Sequence, residues 1–450
     1  MRGYLTSSIG ITCAAALALA PAVLNTPAAA AAPAAVPVRD PSTGTTGTAG
    51  STQSLPLAPR TRERVLGQAP EQGVYRQDVR HFSLVGVVWD NPGTQLHGSV
   101  QVRTRSAGTG TWSGWQDVDT HNADHGADPD TAEAESGRVH GATAPLWVGD
   151  SDGVDLRVRA EADEGPGPLG NGGRDLLPAG LRLELVDPGA DSPPQGAPAD
   201  GLPTEDDTTA ATNADLAPFG ATEIPALDRE DTERELLELD GVDVPRGKPY
   251  IGPRPGIVTR RGWRADESLR EKGFVYTGKV KAAFVHHTDS GNGYKCSQAP
   301  SVIRSIYRYH VVSMGWRDIG YNFLVDKCGT IYEGRAGGVA KAVKGAHTLG
   351  FNSNSTGIAV IGTFGSHKPP AAAVTAIARL TAWKLGLYGA NPKGKTYLRS
   401  GGGNLYPKGK NVRLNVISGH RDGYATDCPG AKLYARLGAA RTSSAHLQGR

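Results

Sequence analysis

Hydrophobic and polar positions alternate along the first half of the chain and recur at helical spacing along the second. From 61 to 188 the period is two. Phe82–Trp89 is an apolar, β-branched run that stops at Asn91-Pro92-Gly93, and Val100–Arg105 alternates up to a turn at Gly108–Gly110. Leu146–Val148, Val154–Arg159 and Leu181–Val186 keep the same habit. Short strands with regular turn signals predict an all-β, sandwich-like unit. From 251 to 450 the pattern becomes mixed α/β. Val280–His286, Tyr321–Val325 and Gly357–Ile361 predict buried strands. Pro300–Val311, with Val302, Ile303, Ile306 and Tyr309 at helical spacing, predicts a helix, as do Ala371–Leu385 and Pro429–Leu437. The fold class expected for this half is a mixed sheet flanked by helices.

The segments around these units lack large apolar residues. Residues 33–60 are mostly Ala, Pro, Thr, Gly and Ser and predict a flexible leader. Residues 189–250 predict an acidic, Pro- and Ala-rich linker. Inside it Asp228–Asp240, with Leu236, Leu237 and Leu239, predicts a short helix that could dock electrostatically on the basic half. Residues 391–413, basic and Gly-rich, predict a surface loop or hairpin, either a solvated excursion or a grip on anionic polymers.

Residues 1–32 read as a secretory signal peptide: Arg2, an apolar run from Ile9 to Ala20, then small residues at 26–32. The run is too short for a membrane span, and no later segment approaches one, so no stable membrane anchor is expected. Cys13 sits inside the run and belongs to the signal. That leaves Cys296, Cys328 and Cys428, an odd number for an exported chain, which a disulfide plus one metal-bound thiolate would explain.

The net charge of +3 over 450 residues hides a division. From Ile251 onward about 30 Lys and Arg face about 9 Asp and Glu, leaving 18 basic against 36 acidic residues before it. A basic half suits a polyanion, either cell wall or nucleic acid. The export signal favours the wall, and no nucleic-acid motif or aromatic stacking platform is evident.

The chemistry concentrates in two places. Ala283–Thr288 ends a strand in His286-His287, of which only one can face a given site. Ser418–Gly430 holds His420 and Cys428 eight positions apart in a loop. One histidine of the pair with His420 and Cys428 would give three ligands suited to Zn2+ and leave a position for water. A core-facing His pair and an unliganded thiol fit the spacing equally well. His121, His125 and His140 lie in acidic, Gly-rich stretches and are expected to be solvated loop histidines.

Five stretches together resemble the peptidoglycan recognition protein family, zinc-dependent N-acetylmuramoyl-L-alanine amidases of type 2: Val285–Thr288, Gly315–Phe323, Gly329–Arg335, Gly345–Asn352 running on to Ile358, and Ser418–Asp422 with Asp427–Gly430. The resemblance covers about residues 257–440, and 61–188 resembles, more loosely, an accessory region found ahead of such amidases. It implies that His286, His420 and Cys428 bind Zn2+, that Tyr321 supports the oxyanion, and that His347 and Asn352 contact muramyl peptide in a groove. Some phage-type members carry Lys two residues before the ligand Cys; here the position is Thr426, which could assist the proton transfer. Members without the ligand Cys bind peptidoglycan without cutting it, and Cys428 is present. Cys296 and Cys328 then remain to form a disulfide. The expected function is a secreted, wall-associated zinc amidase acting on peptidoglycan, with anionic wall polymers as further partners. A recognition protein that binds without turnover is the alternative.

Overall fold

A computed structural model describes residues 49–60, 70–161, 177–191, 205–216, 221–239 and 249–450. The signal-peptide reading of 1–32 lies outside them. Two sheets carry the architecture. In the first, Ser51–Pro56, Arg182–Asp187, Phe82–Trp89, Leu146–Ala160, Glu71–Arg76 and Ala58–Pro59 are neighbours in that order, all antiparallel. Leu146–Ala160 is long enough to pair with Phe82–Trp89 over its first half and with both Glu71–Arg76 and Gly98–Ser106 over its second. This is the expected all-β unit. One expectation fails: part of the supposed leader, Ser51–Pro56, is an edge strand on Arg182–Asp187. Polar Ser, Thr and Gln supply backbone pairing there without an apolar signature, because only one of its faces meets the core.

The second sheet is mixed, in the order Glu223–Ile224, Ile257–Val258, Ile331–Glu333, Phe323–Val325, Ser355–Val360, Ala282–His287, Ile417–Gly419. Ala282–His287 runs parallel to both neighbours and is buried along its whole length. Helices Ala371–Gly386 and Leu437–Leu447 cover one face, where Ala283 and Val285 join the core. Helix Ala299–Arg308, extended by a π turn at Tyr309–Ser313, packs in the cluster on the other. The helix predicted at Pro429–Leu437 is instead a single turn, Ala431–Tyr434, and the longer helix starts at Leu437. The acidic linker holds Arg229–Glu238 as a helix capped by Asp228, whose side chain accepts from Asp231 N. Its docking is apolar as well as ionic, since Leu236 and Leu239 enter the core beside a buried Glu235–Arg254 pair. Residues 395–399 and 411–415 form an antiparallel hairpin whose Leu398, Val412 and Leu414 pack on Phe284 and Phe351. Cys296 and Cys328 are joined by a disulfide closing a separation of 32 residues, worth about 3–4 kcal/mol in the chain-entropy account. Among the described residues no helix is long and apolar enough to cross a membrane.

The β unit and the α/β unit share a core. Phe82–Trp89 is buried on both faces. Val85, Val87 and Trp89 face the interior of the β unit, whereas Leu84 and Val88 join Val302, Ile306, Tyr309 and Met314 across the junction. Gly86 lies between them because a Cβ there would sit 2.3 Å from Tyr309 Oη. That hydroxyl donates to Thr143 O at 3.1 Å. At the end of the π turn, Gly315 takes φ +75, and a Cβ on it would meet Arg138 O at 2.0 Å. At about 1.5–3 kcal/mol per fully buried Val, Leu or Ile, separating the units would cost far more than an ordinary surface contact.

Candidate metal centre

Strand alternation puts Val285 in the core on the side of helix 371–386 and His286 on the opposite side, at the strand's end. The next strand, Ile417–Gly419, runs into a 3-10 turn at His420–Asp422. Asp422 fixes that turn: Oδ2 accepts from Gly419 N at 3.0 Å and Oδ1 from Tyr434 Oη at 2.6 Å. The loop closes through Arg421 N donating to Cys428 O at 3.0 Å, which returns Cys428 to His420. Thr426 Oγ1 accepts from Cys428 N at 3.1 Å.

These elements bring three predicted ligands together. His286 Nδ1 lies 3.2 Å from His420 Nδ1 and 3.7 Å from Cys428 Sγ. All three side chains are buried, and Cys428 is free of any disulfide. Zn–N bonds of about 2.0–2.1 Å and a Zn–S bond of about 2.3 Å in a tetrahedron need edges close to these. Burial, reinforced by the neighbouring imidazoles, holds His286 well below its ordinary pKa, and burial brings His420 to about 3, so both are neutral donors near pH 7. Burial also pushes the Cys428 thiol well above its usual value. A thiol so placed becomes a thiolate when a cation stands beside it. Donor types, spacing and burial therefore fit a zinc ion.

A fourth donor comes from the β unit. His125, expected to be solvated, lies with its ring 4.7 Å from that of His420 and 5.5 Å from that of His286, its side chain only 9% exposed. His125, His286, His420 and Cys428 each offer a ligand atom within 4.8 Å of the others. His125 Nδ1 is 3.0 Å from Asp124 Oδ1, while Nε2 is buried with no hydrogen-bond partner. Asp124 also lies 3.6 Å from His420 Nδ1. Burial would raise its pKa, but His125 and His420 outweigh burial and hold the carboxyl below its usual range. The local signal was the Asp124-His125-Gly126 triplet in an acidic run; nothing local ties it to a site some 160 residues onward.

Tyr321 lies beside these histidines, with ring centroids 5.5 Å from His286 and 5.8 Å from His125. Burial keeps its hydroxyl protonated. His287 points away and accepts from Phe364 N at 3.3 Å. His347 and Asn352 differ from expectation. His347 is fully buried, and its Nδ1 lies 3.2 Å from His286 Nε2, so in this structure it packs against His286 rather than opening onto a groove. Asn352 Oδ1 accepts from the amides of His347 and Thr348 at 2.7 and 3.0 Å, and its Nδ2 donates to Gly126 O and Asp128 Oδ1. Both are enclosed because the β-unit loop lies over the 345–352 turn. A cavity of about 570 Å³ reaches Cys428 and Thr426 from the side, lined by both units, including Asp119, Asp124, Asp289 and Asp427.

Residues 33–176 match the family described as Rv3811 N-terminal galactose-binding domain-like, and residues 276–431 match N-acetylmuramoyl-L-alanine amidase. The chain is 32% identical over 183 residues to peptidoglycan-recognition protein SC2 of Drosophila simulans, covering 40% of this chain and 84% of that protein. It is 39% identical over 156 residues to peptidoglycan-recognition protein LE of Drosophila melanogaster, covering 34% and 44%. A solved structure of peptidoglycan recognition protein-LE in complex with tracheal cytotoxin is 30% identical, covering 41% of this chain and 92% of that one, with a TM-score of 0.32. The relative aligned over most of its length, together with the amidase match on the segment that carries the metal donors, means that this chain belongs to the peptidoglycan recognition protein family, with a galactose-binding-like β unit ahead of its amidase unit.

Proposed function

We propose that this protein is an exported zinc-dependent N-acetylmuramoyl-L-alanine amidase that hydrolyses the amide between the lactyl group of muramic acid and L-alanine. The observation that carries the reading is Cys428, a buried, unpaired thiol held 3.7 Å from His286 Nδ1 and within the His286–His420 donor set. Bound there, zinc supplies Lewis acidity toward an amide carbonyl and lowers the pKa of a water to about 7. The remaining work falls to the chain. His347 holds the His286 ring by its distal nitrogen, and Asp422 holds the loop that carries His420 and Cys428. Tyr321, a neutral phenol against the His286 ring, donates a hydrogen bond to the oxyanion formed on the attacked carbonyl. Thr426 lies at the cavity edge and positions the Cys428 backbone. The disulfide suits an oxidising compartment, and the basic α/β unit suits an anionic wall.

Mass spectrometry of muropeptides after digestion tests this. The expected product has a free N-terminal L-alanine, lost with a chelator and in Cys428→Ser. Intact muramyl peptides bound but unchanged by every form of the protein, with zinc present, would replace the amidase by a recognition module.

A further inference from the structure

The segment 119–135 carries six carboxylates and no Lys or Arg. It leaves the β unit and lies across the amidase unit, and each of its anchors falls on a feature of the site. Asp124 O accepts from Leu349 N at 3.1 Å. Asp128 Oδ1 accepts from Gly350 N at 2.9 Å, Asn352 N at 3.3 Å and Asn352 Nδ2 at 2.8 Å, and its other oxygen lies 3.6 Å from Lys344 Nζ. Glu133 takes Arg335 in a two-pronged pair at 2.8 and 3.0 Å. Asp130 pairs with Lys408 of the hairpin. Arg335, Lys344, Lys408 and the amides of Gly350 and Asn352 are thus already engaged by carboxylates of this segment. The cavity that still opens toward Cys428 has four aspartates and no Lys or Arg in its lining, a poor reception for a peptide that itself bears carboxylates.

His125 completes the picture. A histidine whose Nδ1 is held by a carboxylate has its lone pair on Nε2, the arrangement that tunes imidazoles for metals. That Nε2 is buried and without a hydrogen-bond partner, and His125 is one of the four residues whose ligand atoms lie within 4.8 Å of one another. Three donors leave a catalytic zinc open; four of this kind make a closed, structural type of site.

We propose that loop 119–135 keeps this amidase latent: His125, braced by Asp124, takes the fourth position on the metal ion, while Asp128 and Glu133 occupy the amides and the arginine beside it. The inference rests on the zinc reading of His286, His420 and Cys428. Activation is then withdrawal of the loop, with its carboxylates exchanged for those of an anionic ligand.

The test uses the full chain loaded with Co2+ and azide as a small ligand that takes only an open coordination position. The expected result is a visible d–d spectrum unmoved by azide in the unmodified protein and shifted by it in His125→Ala. Asp124→Asn, which keeps the loop's shape, should give a partial shift and guards against a misfolded variant. Zinc affinity by chelator competition should fall 10-fold or more in His125→Ala, while release of L-alanine-terminated peptides rises at least 10-fold. An azide response already complete in the unmodified protein, with cobalt bound, would overturn latency and leave the amidase reading standing. Failure of every form to bind cobalt or zinc would overturn both.

Discussion

Removing the carboxylate of Glu133 should loosen the β-unit loop from the amidase unit by a calculable amount. The Arg335 and Glu133 side chains are 5% and 9% exposed and joined by two hydrogen bonds, at 2.8 and 3.0 Å. Glu133 Oε1 also accepts from Arg317 N at 3.3 Å. Breaking a buried pair by deleting one partner costs about 3–5 kcal/mol. Arg335 keeps Ile319 O at 2.8 Å as an acceptor, and a lifted loop lets water reach the guanidinium, so the lower end, about 3 kcal/mol, applies to Glu133→Ala. At about 1.4 kcal/mol per factor of ten, local opening becomes roughly 100-fold more frequent. Hydrogen exchange followed by mass spectrometry reads this at Leu349, Gly350 and Asn352, whose amides donate to Asp124 and Asp128. Their protection should fall by about two orders of magnitude while that of helix 371–386 stays unchanged. Glu133→Gln, which keeps one acceptor oxygen for Arg335 and Arg317 N but loses the charge and the second acceptor, should lose less protection than Glu133→Ala. Unchanged exchange at 349–352 in Glu133→Ala, or an equal loss in helix 371–386, would refute the docking argument.

Other expectations follow from the same geometry. His347→Ala should lower zinc affinity by about 10–100-fold, since His286 loses the group that orients it; a change confined to KM would restore the groove role instead. Gly86→Ala forces a Cβ onto Tyr309 and should destabilise the junction of the two units by about 1–3 kcal/mol in denaturant unfolding, whereas Gly108→Ala, in open space, should not. Burial holds Lys384 down to about 7, below its unfolded value. The unfolded chain therefore binds the extra proton between pH 7 and about 10, and stability from this group rises with pH across that window. Urea midpoints at pH 7 and 9 should show that rise, flattened in Lys384→Met; an identical slope in both would exclude Lys384 as its source.

The parts legible in the sequence are those governed by local periodicity. Apolar runs at Phe82–Trp89 and Val280–His286 predicted buried strands, strand geometry meant that only one histidine of the pair could face a site, with the resemblance pointing to His286, and the spacing of Val302, Ile303 and Ile306 predicted their helix. The loop carrying His420 and Cys428 was legible because glycine and aspartate mark turns and the donor types are rare. Burial imposed from another unit was not. His347 and Asn352 look like groove residues until the loop at 126–128 is placed over them. His125 reads as a solvated histidine because its partners lie in strands and loops that the chain reaches only after residue 280. Ser51–Pro56 has the composition of a leader and becomes a strand only because Arg182–Asp187 offers it an edge.

X-ray absorption at the zinc edge of this 450-residue chain tests the central claim most directly, because sulfur and imidazole scatter differently. One sulfur at about 2.3 Å with imidazole nitrogens at about 2.0–2.1 Å, the sulfur vanishing in Cys428→Ser, is the expected result. A zinc shell made only of light atoms in the unmodified protein, or no bound zinc at all, would contradict it.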